Sequence, residues 1–189
     1  MKERHRIFIA INFPEEIKRV LAGYEKQWHD LPARWTRKEN LHVTLVFIGD
    51  VYDEAIGEVC MAVKKVVQNY KSFLVHFDKV SYGPKGKSPK MVWLHGQKSK
   101  ELSSLRAALE DAILAVIPFK PEERAFSPHV TLAKINQMAF RQTDLFERPE
   151  IAEDVDLHFE VESIEVMESV LKKGGPEYSV VESMEFGEV

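Results

Sequence analysis

The chain has 189 residues, 44% hydrophobic and 30% charged, with a net charge of −4 and a single cysteine, Cys60. Such a composition suits a soluble folded domain. It excludes a disulfide framework, a multi-thiolate metal centre and a global basic field able to hold long nucleic acid. No run approaches the ~20 apolar residues of a membrane span, so the expectation is a cytoplasmic monomer without a membrane partner.

"RIFIAINF" (6–13) is rich in β-branched and aromatic residues and reads as a strand. Pro14, Glu15 and Glu16 then mark a helix start, and Ile17, Val20, Leu21, Tyr24 and Trp28 follow at helical spacing up to Pro32. "HVTLVFI" (42–48) is a second strand, ended by Gly49 and Asp50. Asp53 is placed to cap a helix whose buried face runs from Ile56 through Val59, Cys60, Val63, Val66 and Val67 to Tyr70. "SFLVHFDKVSY" and "KMVWLHG" read as strands around the loop "GPKGKSP". Ser99 caps a further helix with Leu102, Leu105, Leu109, Ile113 and Val116 inward, stopped by Pro118. The second His-Val-Thr-Leu segment (129–132) marks the next strand. "FEVESIEVMESVL" and "EYSVVESMEF" flank "KKGGP" as a long hairpin.

The tetrapeptide His-Val-Thr-Leu occurs twice, at 42–45 and 129–132, each time downstream of an amphipathic helix and a proline-bearing connection. That recurrence suggests a duplicated unit. The expected fold is α+β, a single two-lobed domain over 1–189, its antiparallel sheets lining a central cleft and its helices outside. Alternation along a strand puts His42 and Thr44 on one face and Val43 and Leu45 on the other; His129 and Thr131 follow the same rule. Two imidazoles across a cleft suit acid–base chemistry on a phosphodiester. One takes a proton from the attacking oxygen and the other gives one to the leaving oxygen. The threonines can hydrogen-bond phosphate oxygens. His-x-Thr is not a zinc-ligand spacing, so neither metal nor cofactor is expected.

Other residues are weaker candidates. "GPKGKS" (83–88) has two residues between its glycines where a phosphate-binding P-loop has four, and reads as a solvated turn. Its Lys85 and Lys87, with Lys90, Arg34, Lys38 and Arg124, could approach a phosphate-bearing partner, and Trp35, Phe47 and Tyr82 could stack a base if that partner carries one. His5, His29, His76, His95 and His158 lack a threonine two residues on and are expected to be structural.

The paired motifs resemble the two-histidine phosphoesterase superfamily. The flanks "RIFIAINFPEE", "RWTRKENLHVTLVFIGDV", "PKMVWLHG", "RAFSPHVTLAK" and "VMESVLKKGGPEYSVV" are similar, in order, to the RNA 2′,3′-cyclic phosphodiesterases, also called 2′-5′ RNA ligases. The resemblance implies hydrolysis of RNA 2′,3′-cyclic phosphate ends, or of short oligonucleotides carrying them, to a 2′-phosphate, with ligation as a second activity. It implies a bilobal, pseudo-twofold duplication, with His42 as general acid, His129 as general base, and Thr44 and Thr131 as phosphate holders. Lys134 stands where the family often has arginine. Simple alternation puts Lys134 on the face opposite His129, so its part in the site requires a bulge or a strand end. Small cyclic nucleotides, ADP-ribose cyclic phosphate and a non-catalytic RNA-end binder remain open as alternatives.

Overall fold

A computed structural model describes residues 3–84 and 89–187. The elements in order are β1 (Arg4–Asn12), α1 (Glu15–Ala22), α2 (Tyr24–Gln27), β2 (Ala33–Trp35), a 3₁₀ turn (Lys38–Asn40), β3 (His42–Tyr52), α3 (Asp53–Val67), β4 (Phe73–Gly83), β5 (Met91–Gly96), α4 (Lys100–Leu114), β6 (His129–Ile135), α5 (Gln137–Gln142), β7 (Ala152–Val161), β8 (Ser163–Lys172) and β9 (Gly175–Glu185). They make one four-stranded sheet, β3-β1-β8-β9, and one five-stranded sheet, β2-β6-β5-β4-β7. Every strand pair is antiparallel. The fold is α+β, as the sequence implied.

A single apolar cluster joins the two sheets and the helices. It takes Ile7, Ile9 and Ile11 from β1, Val43 and Leu45 from β3, Val92 and Leu94 from β5, and Val130 and Leu132 from β6. Val59, Val63 and Val67 of α3 and Leu102, Leu105, Leu109 and Ile113 of α4 close it from outside. These spacings of three and four residues are the apolar stripes read from the sequence. The other face of β1 feeds a smaller cluster, Phe8 and Ala10 with Met167 of β8, and Tyr178 of β9 packs against it. That second face is the floor of a cleft.

Several local expectations are corrected. The first helix stops at Ala22, and Tyr24–Gln27 forms a separate turn, so Trp28 lies beyond both. Asp53 is the first residue of α3 and makes no capping bond; Tyr52 is the N-cap. Strand β3 does not end at Gly49. Gly49, at φ +94, lets the chain bulge, and pairing with β1 resumes through Tyr52. "FEVESIEVMESVL" divides at Glu162 into β7 and β8, which belong to different sheets; only β8 and β9 form the expected hairpin. Val116 lies past α4 and is 39% exposed, and Tyr70 lies past α3. Ser99 does cap α4, accepting from the Leu102 amide at 3.0 Å. Strand β2 and helix α5 had no sequence counterpart.

Candidate active site

The two His-Val-Thr-Leu segments open β3 and β6, and their burial runs through the same pattern over seven residues: half-buried, buried, half-buried, buried, buried, exposed, buried. The doubled "buried" is a β-bulge. On β3, Ala10 pairs with Thr44 and Ile9 with Val46, so Leu45 is extra. On β6, Trp93 pairs with Thr131 and Val92 with Ala133, so Leu132 is extra. The fourth letter of the repeated word is thus the bulged residue both times. After it the alternation is inverted, and the residue five positions beyond each histidine returns to the histidine's own face. Those residues are Phe47 and Lys134. The bulge that Lys134 needed is present.

Thr36, just beyond β2, ties the bulged stretch of β6. Its amide donates to the Leu132 carbonyl at 2.8 Å and its hydroxyl to the Thr131 carbonyl at 2.7 Å. Two acceptors left by the broken ladder are thereby satisfied.

His42, Thr44, His129, Thr131 and Lys134 all line one cleft of about 400 Å³ between the sheets. Each imidazole is held the same way. Nδ1–H of His42 donates to the Asn40 carbonyl at 2.7 Å, and Nδ1–H of His129 to the Ser127 carbonyl at 2.9 Å. Both partners lie two residues upstream. A carbonyl only accepts, so both Nδ1 atoms carry hydrogen and both Nε2 atoms are left for chemistry. His42 Nε2 accepts from the Thr44 hydroxyl at 3.0 Å; His129 Nε2 has no partner among the described residues.

The surroundings of the two rings differ. His42 lies between Phe8, 5.0 Å away, and Tyr178, 5.1 Å away and edge-on. Its edge opens on the cleft, but the ring is packed deeply enough that burial pushes its pKa down to about 4; the Asn40 carbonyl opposes this, and Lys18 and His129 add to it. His129 lies half-buried against the Trp93 ring, 4.2 Å between centroids. Burial likewise raises the Tyr178 phenol.

The remaining candidates scatter. Arg34 and Trp35 reach the cleft rim, with Arg37 beside them. Lys38 is bonded to Glu15, and Arg124 to Glu122 at 2.6 Å. Tyr82 donates to the Pro149 carbonyl at 2.7 Å and packs on Phe140, outside the cleft. Lys90 is exposed, and Lys85 and Lys87 lie outside the described residues. His5 is held by Glu168 at 2.7 Å, His76 by Asp156 at 2.9 Å, and His29 and His158 stand 3.3 and 3.7 Å from Asp30 and Asp156. His95 is the cross-strand partner of His129, yet its Nε2 is engaged by Ser81 Oγ at 2.8 Å and it does not line the cleft. Among the described residues no group of three or more His, Cys, Asp or Glu could hold a metal ion, and no helix is long and apolar enough to cross a membrane.

Phe8, Trp93 and Tyr178 escaped the sequence reading, as did the Asn40 and Ser127 carbonyls. Tyr178 follows the hairpin glycines by three residues, a weak signal; a backbone carbonyl leaves none.

A protein of Methanocaldococcus jannaschii named RNA 2′,3′-cyclic phosphodiesterase is 29% identical over 177 residues, covering 93% of this chain and 98% of that one. One of the same name from Aeropyrum pernix is 31% identical over 153 residues, covering 80% and 85%. A crystal structure from Thermus thermophilus superposes with a TM-score of 0.84 at 21% identity, covering 97% and 100%, and so shares the fold. Residues 13–172, which carry both histidine motifs and both bulges, match the 2′-5′ RNA ligase superfamily, and the chain belongs to that family.

Proposed function

We propose that the protein opens RNA 2′,3′-cyclic phosphate ends by hydrolysis, leaving a 2′-phosphate and a 3′-hydroxyl, and that His42 and His129 carry the proton transfers. One observation carries this reading: two imidazoles from equivalent strands share one cleft, each with Nδ1 tied to a backbone carbonyl, so that Nε2 is the nitrogen left for proton transfer. His129 takes a proton from water as its oxygen bonds to phosphorus. His42 gives a proton to O3′ as the P–O3′ bond breaks. The charges on the two rings are exchanged, and solvent restores them. Thr44, Thr131 and Lys134 donate to the non-bridging oxygens. Lysine keeps the charge of the family's arginine without its bidentate fork.

The acid role of His42 has a condition. Burial by itself holds the ring neutral at pH 7. A phosphodiester anion at Nε2 acts against that burial and favours the imidazolium, so substrate and proton enter the site together. The same cleft admits an RNA 5′-hydroxyl in place of water, which would give a 2′-5′ linkage. Phe47, 55% exposed and on the cleft face beside Phe8, offers a platform for the terminal base.

The deciding experiment is incubation with oligonucleotides ending in 2′,3′-cyclic phosphate, with EDTA present, followed by identification of the terminal phosphate. A 2′-phosphate formed at an undiminished rate is expected. Activity lost in EDTA and restored by zinc or manganese would sink the mechanism.

A further inference from the structure

Arg34 and Lys134 are direct cross-strand partners in the β2–β6 pair. Like charges directly opposite each other destabilise a sheet. No carboxylate among the described residues forms an ion pair with either. Arg37 stands nearby on the same rim. The closest carboxylate to it, Glu177, is 4.0 Å away and is already held by Lys172 at 2.5 Å. In a chain of net charge −4, this is a local excess of positive charge that only Glu177, shared with Lys172, offsets in part.

The two arginines are also set in place. A Cβ on Gly174 would lie 2.9 Å from Arg37 Nη2, and one on Gly175 3.1 Å from Arg34 Nη1, so both guanidiniums rest on the bare turn of the β8–β9 hairpin. The Asn40 side chain pins that hairpin by donating to the Pro176 carbonyl at 2.8 Å.

Position gives the site its meaning. Lys134 is three residues from Thr131, at most roughly 10 Å along a strand, and both line the cleft. Arg34 and Lys134 line the catalytic cleft and also a second depression on its far side, walled by Pro32, Ala33, Ile135 and Asn136. A chain leaving the histidines in that direction must cross the Arg34–Lys134 pair.

Resting on the hydrolase reading, we infer that Arg34, flanked by Arg37, binds the first internucleotide phosphodiester upstream of the reacting end, and that the strand exits over it into the Pro32–Asn136 depression. The site selects an RNA end over a free mononucleotide. A basic groove that tracks the backbone without reading bases is the form such selection takes.

The test compares kcat/KM for three substrates: a mononucleoside 2′,3′-cyclic phosphate, a trinucleotide with the same end, and that trinucleotide with an uncharged methylphosphonate at the first internucleotide linkage. The wild type should prefer the charged trinucleotide to the mononucleotide by about tenfold or more, one charge-assisted contact, and the methylphosphonate should abolish the preference. Arg34→Gln should lower the trinucleotide-to-mononucleotide ratio about tenfold, and Arg34→Lys should restore part of it. As a ratio, this readout is insensitive to partial misfolding of a variant. An unchanged ratio in Arg34→Gln, or full activity on the methylphosphonate, overturns the subsite while leaving the hydrolase in place. No turnover of any of the three by the wild type overturns the hydrolase and the subsite with it.

Discussion

The two half-sites are built alike and finished differently. Each has a histidine and threonine at the start of a strand, a leucine bulge, and a carbonyl two residues upstream that fixes Nδ1. But His42 sits on a closed aromatic floor, where burial holds its pKa near 4, while His129 lies against Trp93 at the open side. Five residues on, one half-site offers the cation Lys134 and the other the aromatic ring of Phe47. Duplication supplies a matched pair of proton-transfer groups. On the proposed mechanism, divergence of their surroundings is what would let one be the acid and the other the base.

The harshest way to break the pair is to remove a member. His42→Ala and His129→Ala should each lower turnover on a cyclic-phosphate oligonucleotide by about 10²- to 10⁴-fold. The double variant should fall little below the worse single, because residues that act as a unit are not additive. Rapid-quench turnover of the three proteins checks this, and near wild-type rates in either single variant would contradict it.

A sharper cut separates the roles. A diester whose leaving group is already good, such as a nitrophenyl phosphodiester, needs no general acid. His42→Ala should then keep at least about a tenth of wild-type turnover, while His129→Ala should remain about 10²-fold down. Equal losses in both would refute the assignment. The reverse pattern would exchange the roles and leave the paired mechanism standing.

The bulged strands also show where sequence reading stops. His-x-Thr alternation put His42, Thr44, His129 and Thr131 on the faces that line one cleft, because period-two geometry is a property of the strand itself. Lys134 could not be placed, because a bulge is set by the partner strand: only the pairing of Val92 with Ala133 and Trp93 with Thr131 reveals that Leu132 is extra. The division at Glu162 was hidden for a related reason. Strand-like residues run on from β7 into β8, and nothing in "FEVESIEV" records a change of sheet. Gly23 hid the end of α1 because it keeps a helical backbone, φ −66, while the apolar spacing runs past it to Trp28. Phe8, Trp93 and Tyr178 reach the histidines only by tertiary packing.

The unequal fifth residues give a smaller effect that sets the half-sites directly against each other. Lys134→Ala should lower kcat/KM about tenfold on every phosphodiester, since the phosphate is common to all. Phe47→Ala should cost about tenfold on nucleotides and close to nothing on a base-free ribose 2′,3′-cyclic phosphate, because only the former has a base to stack. Equal losses for Phe47→Ala on both substrates would remove it from base binding.

The gentlest test needs no substrate. His42 is neutral in the folded protein down to about pH 4, whereas an unfolded chain protonates its histidine near the ordinary 6.5. Below that value the unfolded state therefore binds more protons, and folding stability is lost as the pH falls from about 6.5 through 4. A shift of this size corresponds to no more than about 3 kcal/mol, and water in the cleft reduces it to about 1–2 kcal/mol. His5 titrates with the opposite sense: its bond to Glu168 raises its pKa, so its contribution is present below 6.5 and fades as the pH rises through that raised value. Because His5 is common to both proteins, comparing wild type with His42→Gln cancels it. Urea denaturation in phosphate-free buffer should show the wild type losing about 1–2 kcal/mol more than His42→Gln between pH 7 and pH 4.5. Inorganic phosphate should shrink that difference, because an anion at Nε2 lets the buried ring keep its proton. Identical losses in the two proteins would mean that His42 is solvated enough to titrate as an ordinary histidine, and the closed floor would no longer distinguish it from His129.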